Sequence, residues 1–166
     1  MIAMTMGLSM SLSAQAHMLW LERGPNAQTY AFFGEYSEQL KETQEGALKS
    51  FNQAKVVQAK KIFSPQLQQD HLVYATQDQA DVKLSHELIY GESLLSYYAK
   101  AGRQHLKTES ALDIVPAQRN SNTFTVLYQD KPAADLEVTV FSPQYWLKKY
   151  TTNSQGQITI ATPWKG

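Results

Sequence analysis

His17 is the residue with the greatest chemical potential, because it directly follows Ala14, Gln15 and Ala16. A signal peptidase recognises small residues at the two positions that these alanines occupy. Residues 1–12 carry no charge and are mostly apolar or small, although no Lys or Arg precedes them. We therefore predict a signal peptide over residues 1–16, with cleavage after Ala16 and a mature chain that starts at His17.

An N-terminal histidine offers two nitrogen donors from one residue. The α-amine and the imidazole Nδ1 of His17 can close a six-membered chelate ring on a metal ion. Reference pKa values of about 7.7–8.0 for the amine and about 6.5 for the imidazole allow both groups to lose their protons near neutral pH. Imidazole is suited to copper and nickel. The sequence thus predicts a divalent transition metal, Cu, Ni or Co, as cofactor or cargo.

His86 is the best placed further metal ligand. It shares one face of a predicted strand with Val82, Leu84 and Leu88, which would hold its imidazole rigidly. The alternative is a histidine of the hydrophobic core whose polar atoms bind neighbouring groups.

Two other histidines are weaker candidates. His71 follows the polar segment 66–70, which we interpret as a break between strands, so the alternative to a metal ligand is a solvated turn. His105 lies in the segment 102–107 between Arg103 and Lys107, whose charges would repel a cation.

Other groups of residues give weaker indications of a functional site. Four acidic residues lie at helical spacing and are typical of a solvated helix face: Glu35, Glu38, Glu42 and Glu45. Six aromatic residues could form a carbohydrate platform, although aromatic residues in strands more often belong to the core: Trp20, Tyr30, Tyr36, Tyr97, Tyr98 and Trp146. The chain lacks the spaced histidines of a hydrolytic metal site, a nucleophile elbow and a phosphate loop. We expect no enzymatic activity.

Composition excludes several classes of protein. Lys plus Arg equals Asp plus Glu at 15 each, so nothing indicates a nucleic-acid partner. After the first segment no apolar run approaches the roughly 20 residues of a membrane span, so stable membrane insertion after processing is not expected. Cysteine is absent, which excludes disulfides and thiolate sites and favours a bacterial periplasm for an exported protein.

The pattern of short strands and turns predicts an all-β protein of two modules. Residues 17–110 form a β-rich domain with one short helix or two helical turns within 35–53. Residues 111–166 read as an immunoglobulin-like β-sandwich with turns at 130–132 and 153–156, where Gly156 can adopt positive φ. The chain stops at Gly166, where such a sandwich needs another strand, which predicts a fragment.

These landmarks resemble a bacterial periplasmic family of unknown function, often labelled the periplasmic component of nickel or cobalt uptake systems. The motifs that carry the resemblance occur in order along nearly the whole mature chain: residues 16–22 (AHMLWLE), 33–36 (FGEY), 98–101 (YAKA), 112–116 (LDIVP), 128–133 (YQDKPA) and 152–157 (TNSQGQ). Each motif is weak alone, but their order and spacing make the match fairly specific.

The resemblance implies a metal site formed by the mature N-terminus and a downstream histidine. Nickel-uptake relatives place the ligand histidine second in the mature chain, whereas here His17 would be first, as in copper-binding periplasmic sandwiches and histidine-brace copper enzymes. The leading hypothesis is a periplasmic metal-binding or metal-delivery protein that works with membrane transporter components. The alternatives are a non-catalytic envelope module that works beside an outer-membrane receptor and, less favoured, a histidine-brace copper oxidase.

Overall fold

A computed structural model of the chain describes residues 17–77 and 80–161. Strands hold 49% of the residues, in antiparallel sheets, and helices 8%, so the predicted all-β class is confirmed. The predicted signal peptide, residues 1–16, lies outside the described residues. None of the helices in the described part of the chain combines the length and the apolar character that a membrane crossing requires.

Fifteen strands and three 3-10 helices occur in the described residues. In chain order the strands are β1 (Met18–Arg23), β2 (Thr29–Glu35), β3 (Leu40–Lys41), β4 (Val56–Gln58), β5 (Lys61–Phe63), β6 (Gln66–Leu67), β7 (Leu72–Tyr74), β8 (Val82–Tyr90), β9 (Ser93–Ala101), β10 (Leu112–Pro116), β11 (Thr123–Tyr128), β12 (Lys131–Pro132), β13 (Glu137–Phe141), β14 (Leu147–Thr151) and β15 (Gln157–Thr159). The helices are η1 (Pro25–Ala27), η2 (Tyr36–Glu38) and η3 (Ala47–Phe51).

Two sheets form the first half of the fold. Sheet A has the order β1-β2-β7-β6, with β3 added to β2, and sheet B has the order β5-β4-β8-β9. β1 and β2 are paired so that Leu19 lies opposite Phe33 and Trp20 opposite Phe32. Because successive strand residues point to opposite faces, Leu19 and Phe33 share what we call the inner face, and Trp20 and Phe32 the outer face.

The inner face of sheet A and helix η3 build the main hydrophobic core together with sheet B. Phe33 packs on Phe51 of η3 with ring centroids 4.6 Å apart, and Leu48 of the same helix is completely buried. Tyr74 is also fully buried, and its hydroxyl donates to the carbonyl of Ala54 at 3.0 Å. Burial raises the pKa of Tyr74, which therefore stays neutral.

Two further sheets lie in the second half of the chain. Strands β10, β11, β12 and β15 form sheet C, and strands β13 and β14 form sheet D. Val115, Val126 and Ile158 are buried between these strands. Gly156 has φ 69°, as predicted for the turn before β15, and a β-carbon there would lie 2.9 Å from the Val126 carbonyl oxygen.

A network of buried charges joins the two halves. Lys83 and Lys100, neighbours across β8 and β9, reach the carboxylate of Asp113 on β10 at 3.1 and 3.3 Å. The Asp113 side chain is only 3% exposed. Each lysine also has a second carboxylate, Glu109 at 3.0 Å from Lys83 and Asp81 at 4.0 Å from Lys100. Charges as buried as that of Asp113 are tolerated only when they are paired in this way.

Local predictions need two corrections. The polar break predicted at 66–70 contains strand β6, because Gln66 and Leu67 pair with β7. The turn predicted at 130–132 contains strand β12, which pairs with the end of β11. Of the two alternatives predicted within 35–53, the chain forms two helical turns, η2 and η3, with the short strand β3 between them. Two residues are enough for a strand wherever a neighbouring edge offers free backbone groups, and polarity alone does not reveal this.

Candidate functional site

His17 directly precedes β1 and lies on the inner face of sheet A. Strand alternation places it on the same side as Leu19 and Leu21, which pack on the core. Its imidazole contacts the Phe33 ring with centroids 5.3 Å apart, and the side chain is 35% exposed. The ring is therefore fixed by packing on one side and accessible on the other.

Two carboxylates flank the imidazole of His17. Nε2 lies 2.8 Å from Oε1 of Glu42, and Nδ1 lies 3.5 Å from Oε1 of Glu35. The Glu35 side chain is 8% exposed, and its Oε1 is buried without a hydrogen bond to any residue in 17–77 or 80–161. A buried carboxylate oxygen is costly unless a proton donor or a cation compensates for it.

The backbone around Gly34 brings the two carboxylates together. Gly34 has φ 148°, and a β-carbon there would collide with the Leu40 carbonyl oxygen of the neighbouring strand β3. This close approach lets the chain return along β2, and the Glu42 amide donates to the Phe33 carbonyl at 2.8 Å. Glu42 thus comes beside His17 although 25 residues separate them.

Glu42 is held ionised by two donors. The Ala47 amide donates to its Oε2 at 3.1 Å, and His17 binds its Oε1. The Ala47 hydrogen bond is the larger cause and the His17 hydrogen bond the next, and together they lower the pKa of Glu42. Because Glu42 stays a carboxylate that only accepts, Nε2 of His17 carries a proton.

His86 occupies the predicted face of β8. Val82 and Leu84 of that face belong to the main core, and Leu88 packs against it. The Nε2 of His86 lies 3.0 Å from the Ser50 carbonyl oxygen, and the ring contacts Phe51 at 5.2 Å.

The structure does not bring His86 into contact with His17. His17 packs on Phe33, Phe33 on Phe51, and Phe51 on His86, so two phenyl rings stand between the imidazoles. The two histidines border the same aromatic cluster at different points.

His71 lies on the outer face of sheet A, opposite to His17. Its ring contacts Tyr30 and Phe32, whereas His17 contacts the next residue, Phe33. Its Nδ1 lies 2.7 Å from Oδ1 of the neighbouring Asp70. His71 and His17 therefore lie on opposite sides of β2 and cannot bind the same ion in this fold.

His105 contacts two acidic residues, Asp81 and Glu109. Its backbone amide donates to Asp81 at 2.9 Å, and its Nδ1 lies 3.6 Å from Glu109. Both carboxylates also pair with lysines, Glu109 with Lys83 at 3.0 Å and Asp81 with Lys100 at 4.0 Å.

Within the described ranges, no three or more His, Cys, Asp or Glu side chains lie together in a way that could hold a metal ion. The arrangement around His17 is one nitrogen ligand with one facing carboxylate, Glu35, and one supporting carboxylate, Glu42. Comparison of the chain with protein-family models, with curated proteins and with solved structures found no match. The geometry around His17 is therefore the only observation that bears on the function of this site.

The acidic residues of the site were not predicted as functional. The sequence predicts one solvated helix face for Glu35, Glu38, Glu42 and Glu45, and of these four only Glu38 and Glu45 are exposed. Glu35 instead extends the alternation of Thr29, Ala31 and Phe33 along β2, and this period of two is the signal that could have placed it inside. The position of Glu42 depends on the return of the chain at β3, for which the sequence carries no comparable signal.

Proposed function

We propose that the protein binds or delivers a divalent transition metal in the periplasm, as an accessory to metal uptake, with the mature N-terminal His17 as anchor. The observation that carries the proposal is the pair of carboxylates around its imidazole. The Nδ1 atom, which an N-terminal chelate requires, faces the buried and unpartnered Oε1 of Glu35 at 3.5 Å.

The hydrogen bond between His17 and Glu42 supports this interpretation. Nε2 donates to the ionised Glu42, so in the neutral imidazole the lone pair is on Nδ1 and points towards Glu35. Two negative or electron-rich groups then face each other, and a cation between them would relieve the repulsion. A carboxylate that orients a metal-bound histidine through its other nitrogen is a recurrent feature of metal sites.

The donor set fits copper and nickel better than harder cations. The α-amine and Nδ1 supply two nitrogens and Glu35 supplies one oxygen, and two donors about 2.0–2.2 Å from one metal ion lie about 3 Å apart. The separation of 3.5 Å between Nδ1 and Oε1 needs only a small adjustment to reach this value. Such a site leaves coordination positions free for transfer of the ion to a transporter component.

The competing interpretation is purely electrostatic. An imidazolium of His17 with protons on both nitrogens would satisfy Glu35 and Glu42 without any metal. In that case the proposal loses its support, and the envelope module that works beside an outer-membrane receptor becomes the better function. That alternative is favoured by the exposed apolar tip of the β8–β9 hairpin, where Ile89 is 82% and Tyr90 78% exposed.

The decisive experiment is a copper and nickel titration of protein exported through its own first residues. We expect an intact mass that begins at His17 and one ion bound in competition with a weak chelator. His17→Ala should abolish this binding, because it removes the imidazole ligand and the support of Glu42. The matched control is His71→Ala, which removes an imidazole with its own carboxylate partner from the opposite face and should leave the affinity unchanged.

Two results would overturn the proposal. One is a correctly processed chain that binds neither Cu²⁺, Ni²⁺ nor Co²⁺. The other is equal loss of affinity in His17→Ala and His71→Ala, which would mean that binding reflects surface imidazoles in general. Copper-dependent turnover of a reductant with oxygen would instead support the histidine-brace oxidase.

We propose further that the two halves of the fold are two sandwich-like modules. The supporting observation is that sheets A and B use strands between residues 18 and 101, whereas sheets C and D use strands between 112 and 159. The immunoglobulin-like character of the second module, the boundary near residues 107–110 and the family resemblance belong to the same proposal.

A further inference from the structure

A second site candidate lies on the outer face of sheet A, away from His17. It is a cleft of about 300 Å³ between the sheet and the turn that joins β13 to β14, at the lower end of the range for small-molecule sites. Three aromatic and three polar side chains line it: Trp20, Tyr36, Tyr145, Glu22, Gln39 and Lys41. Its residues come from segments more than 100 positions apart, so it exists only in the folded chain.

The aromatic side chains are fixed by mutual packing. Trp20 stacks on Phe32 with centroids 5.4 Å apart and planes 21° apart, and Tyr36 meets Trp20 edge-on at 88°. Tyr145 contacts Tyr36 with centroids 5.5 Å apart. Tyr145 belongs to the second half of the chain. Its ring, with those of Trp20 and Tyr36, forms what we call the aromatic wall of the cleft.

Two residues of the cleft adopt a backbone conformation that is unfavourable for them. Gln39 has φ 58° and Tyr145 has φ 64°, in the left-handed region that bulky residues rarely occupy. The turn around Tyr145 is held by the buried Ser142, whose carbonyl accepts the Tyr145 amide and whose hydroxyl accepts the Trp146 amide. Gln39 takes this conformation as the C-cap of helix η2, and Tyr145 takes it within the turn between β13 and β14.

The polar side chains offer both donors and acceptors. Glu22 accepts the indole N–H of Trp20 at 2.9 Å, and the Gln39 amide and the Lys41 ammonium lie on the same lining. Burial, with the charge of Glu22 as a smaller cause, raises the pKa of Tyr36, which keeps its hydroxyl protonated as a donor.

We propose that this cleft binds a saccharide of one or two pyranose rings. A pyranose whose hydroxyls are equatorial has C–H bonds on both flat faces, which pack on aromatic rings, and hydroxyls around its edge, which bind carboxylate, amide and ammonium groups. The aromatic residues and Glu22 would also suit a quaternary ammonium ion. Lys41 opposes that ligand because it adds a positive charge to the same lining.

The test is a titration of the complete protein with cellobiose and with diacetylchitobiose, followed through the indole N–H resonance of Trp20. Trp20→Phe assigns this resonance among the three tryptophans of the chain. We expect a saturable shift with at least one of the two sugars. Tyr145→Ala should weaken binding about three- to tenfold, because one stacking contact is lost. Glu22→Gln provides a second variant that leaves the aromatic wall in place, and it should also weaken binding.

Tyr90→Ala is the matched control, since it removes an exposed tyrosine at the tip of the β8–β9 hairpin, and it should bind as the unchanged protein does. Three results would overturn the proposal: no saturable shift with either sugar, an affinity in both Tyr145→Ala and Glu22→Gln that equals that of the unchanged protein, or displacement of the sugar by choline at lower concentration. The last would identify the cleft as a cation site.

Discussion

The two faces of strand β2 each carry a histidine beside a carboxylate, and the two pairs differ in what surrounds them. On the inner face His17 lies 2.8 Å from Glu42, and on the outer face His71 lies 2.7 Å from Asp70. By distance alone the pairs are equivalent. A short contact between a histidine and a carboxylate is therefore not by itself a sign of function.

The two pairs differ in what the second nitrogen of each imidazole faces and in how far apart the histidine and its carboxylate are in the sequence. Nδ1 of His17 faces another carboxylate, Glu35, which is almost completely buried and has no hydrogen bond at Oε1 in the described part of the chain. His71 binds the residue that precedes it, and Asp70 is 48% exposed. The inner pair depends on the tertiary fold and leaves a buried carboxylate oxygen of Glu35 without a hydrogen bond in the described part of the chain, whereas the outer pair is a local contact near solvent.

The largest expected contrast is in metal affinity after the carboxylates are neutralised. Glu35→Gln should weaken copper or nickel binding about 100-fold or more, since loss of a supporting carboxylate alone typically costs 10–100-fold and Glu35 is proposed as a direct ligand. Asp70→Asn should leave the affinity unchanged. Both variants can be measured by chelator competition at one pH, and equal affinities would remove Glu35 from the site.

A smaller contrast is expected in stability without metal. In EDTA, Glu35→Gln should increase the free energy of unfolding by about 1 kcal/mol, because an unsatisfied buried group costs about 1–3 kcal/mol. Asp70→Asn should change it by less than about 0.5 kcal/mol, as is usual for exposed sites. Urea unfolding measures both. A clear loss of stability in Glu35→Gln would show that the carboxylate already has a stabilising partner, as an imidazolium would be.

The sequence was informative where the pattern was local. Alternation predicted the face of β8 that carries His86, and glycine with a polar turn predicted the hairpin at Gly156, because period and positive φ are properties of a few neighbouring residues. The same reasoning misassigned Glu35 and Glu42, since glutamates among polar residues suggest a helix surface. Their approach to His17 depends on the return of the chain past Gly34, a long-range contact.

The aromatic cleft also depends on a long-range contact that the sequence pattern does not reveal. The sequence suggested a platform that included Trp20 and Tyr36, and these two do meet. Tyr145 completes the aromatic wall but was absent from that set, because it lies in a turn more than 100 residues after Trp20 and Tyr36 in the sequence. Residue types can identify candidate side chains for a site, but the tertiary fold determines which of them lie together.

The smallest contrast concerns acid titration of the two carboxylates that pair with histidines. Both have a lowered pKa, and a lowered pKa means that the ionised form stabilises the fold above the ordinary value and that this stability is lost as the pH falls towards the folded value. The first cause differs, because the Ala47 amide leads for Glu42, with an ordinary value of 4.5, and His71 leads for Asp70, with an ordinary value of 3.8. His71→Ala should therefore return the pKa of Asp70 most of the way to 3.8, whereas His17→Ala should leave that of Glu42 below 4.5. Carboxyl NMR titration resolves the two sites. A complete return of Glu42 to 4.5 in His17→Ala would make the imidazole its main partner, which would strengthen the imidazolium interpretation over the metal site.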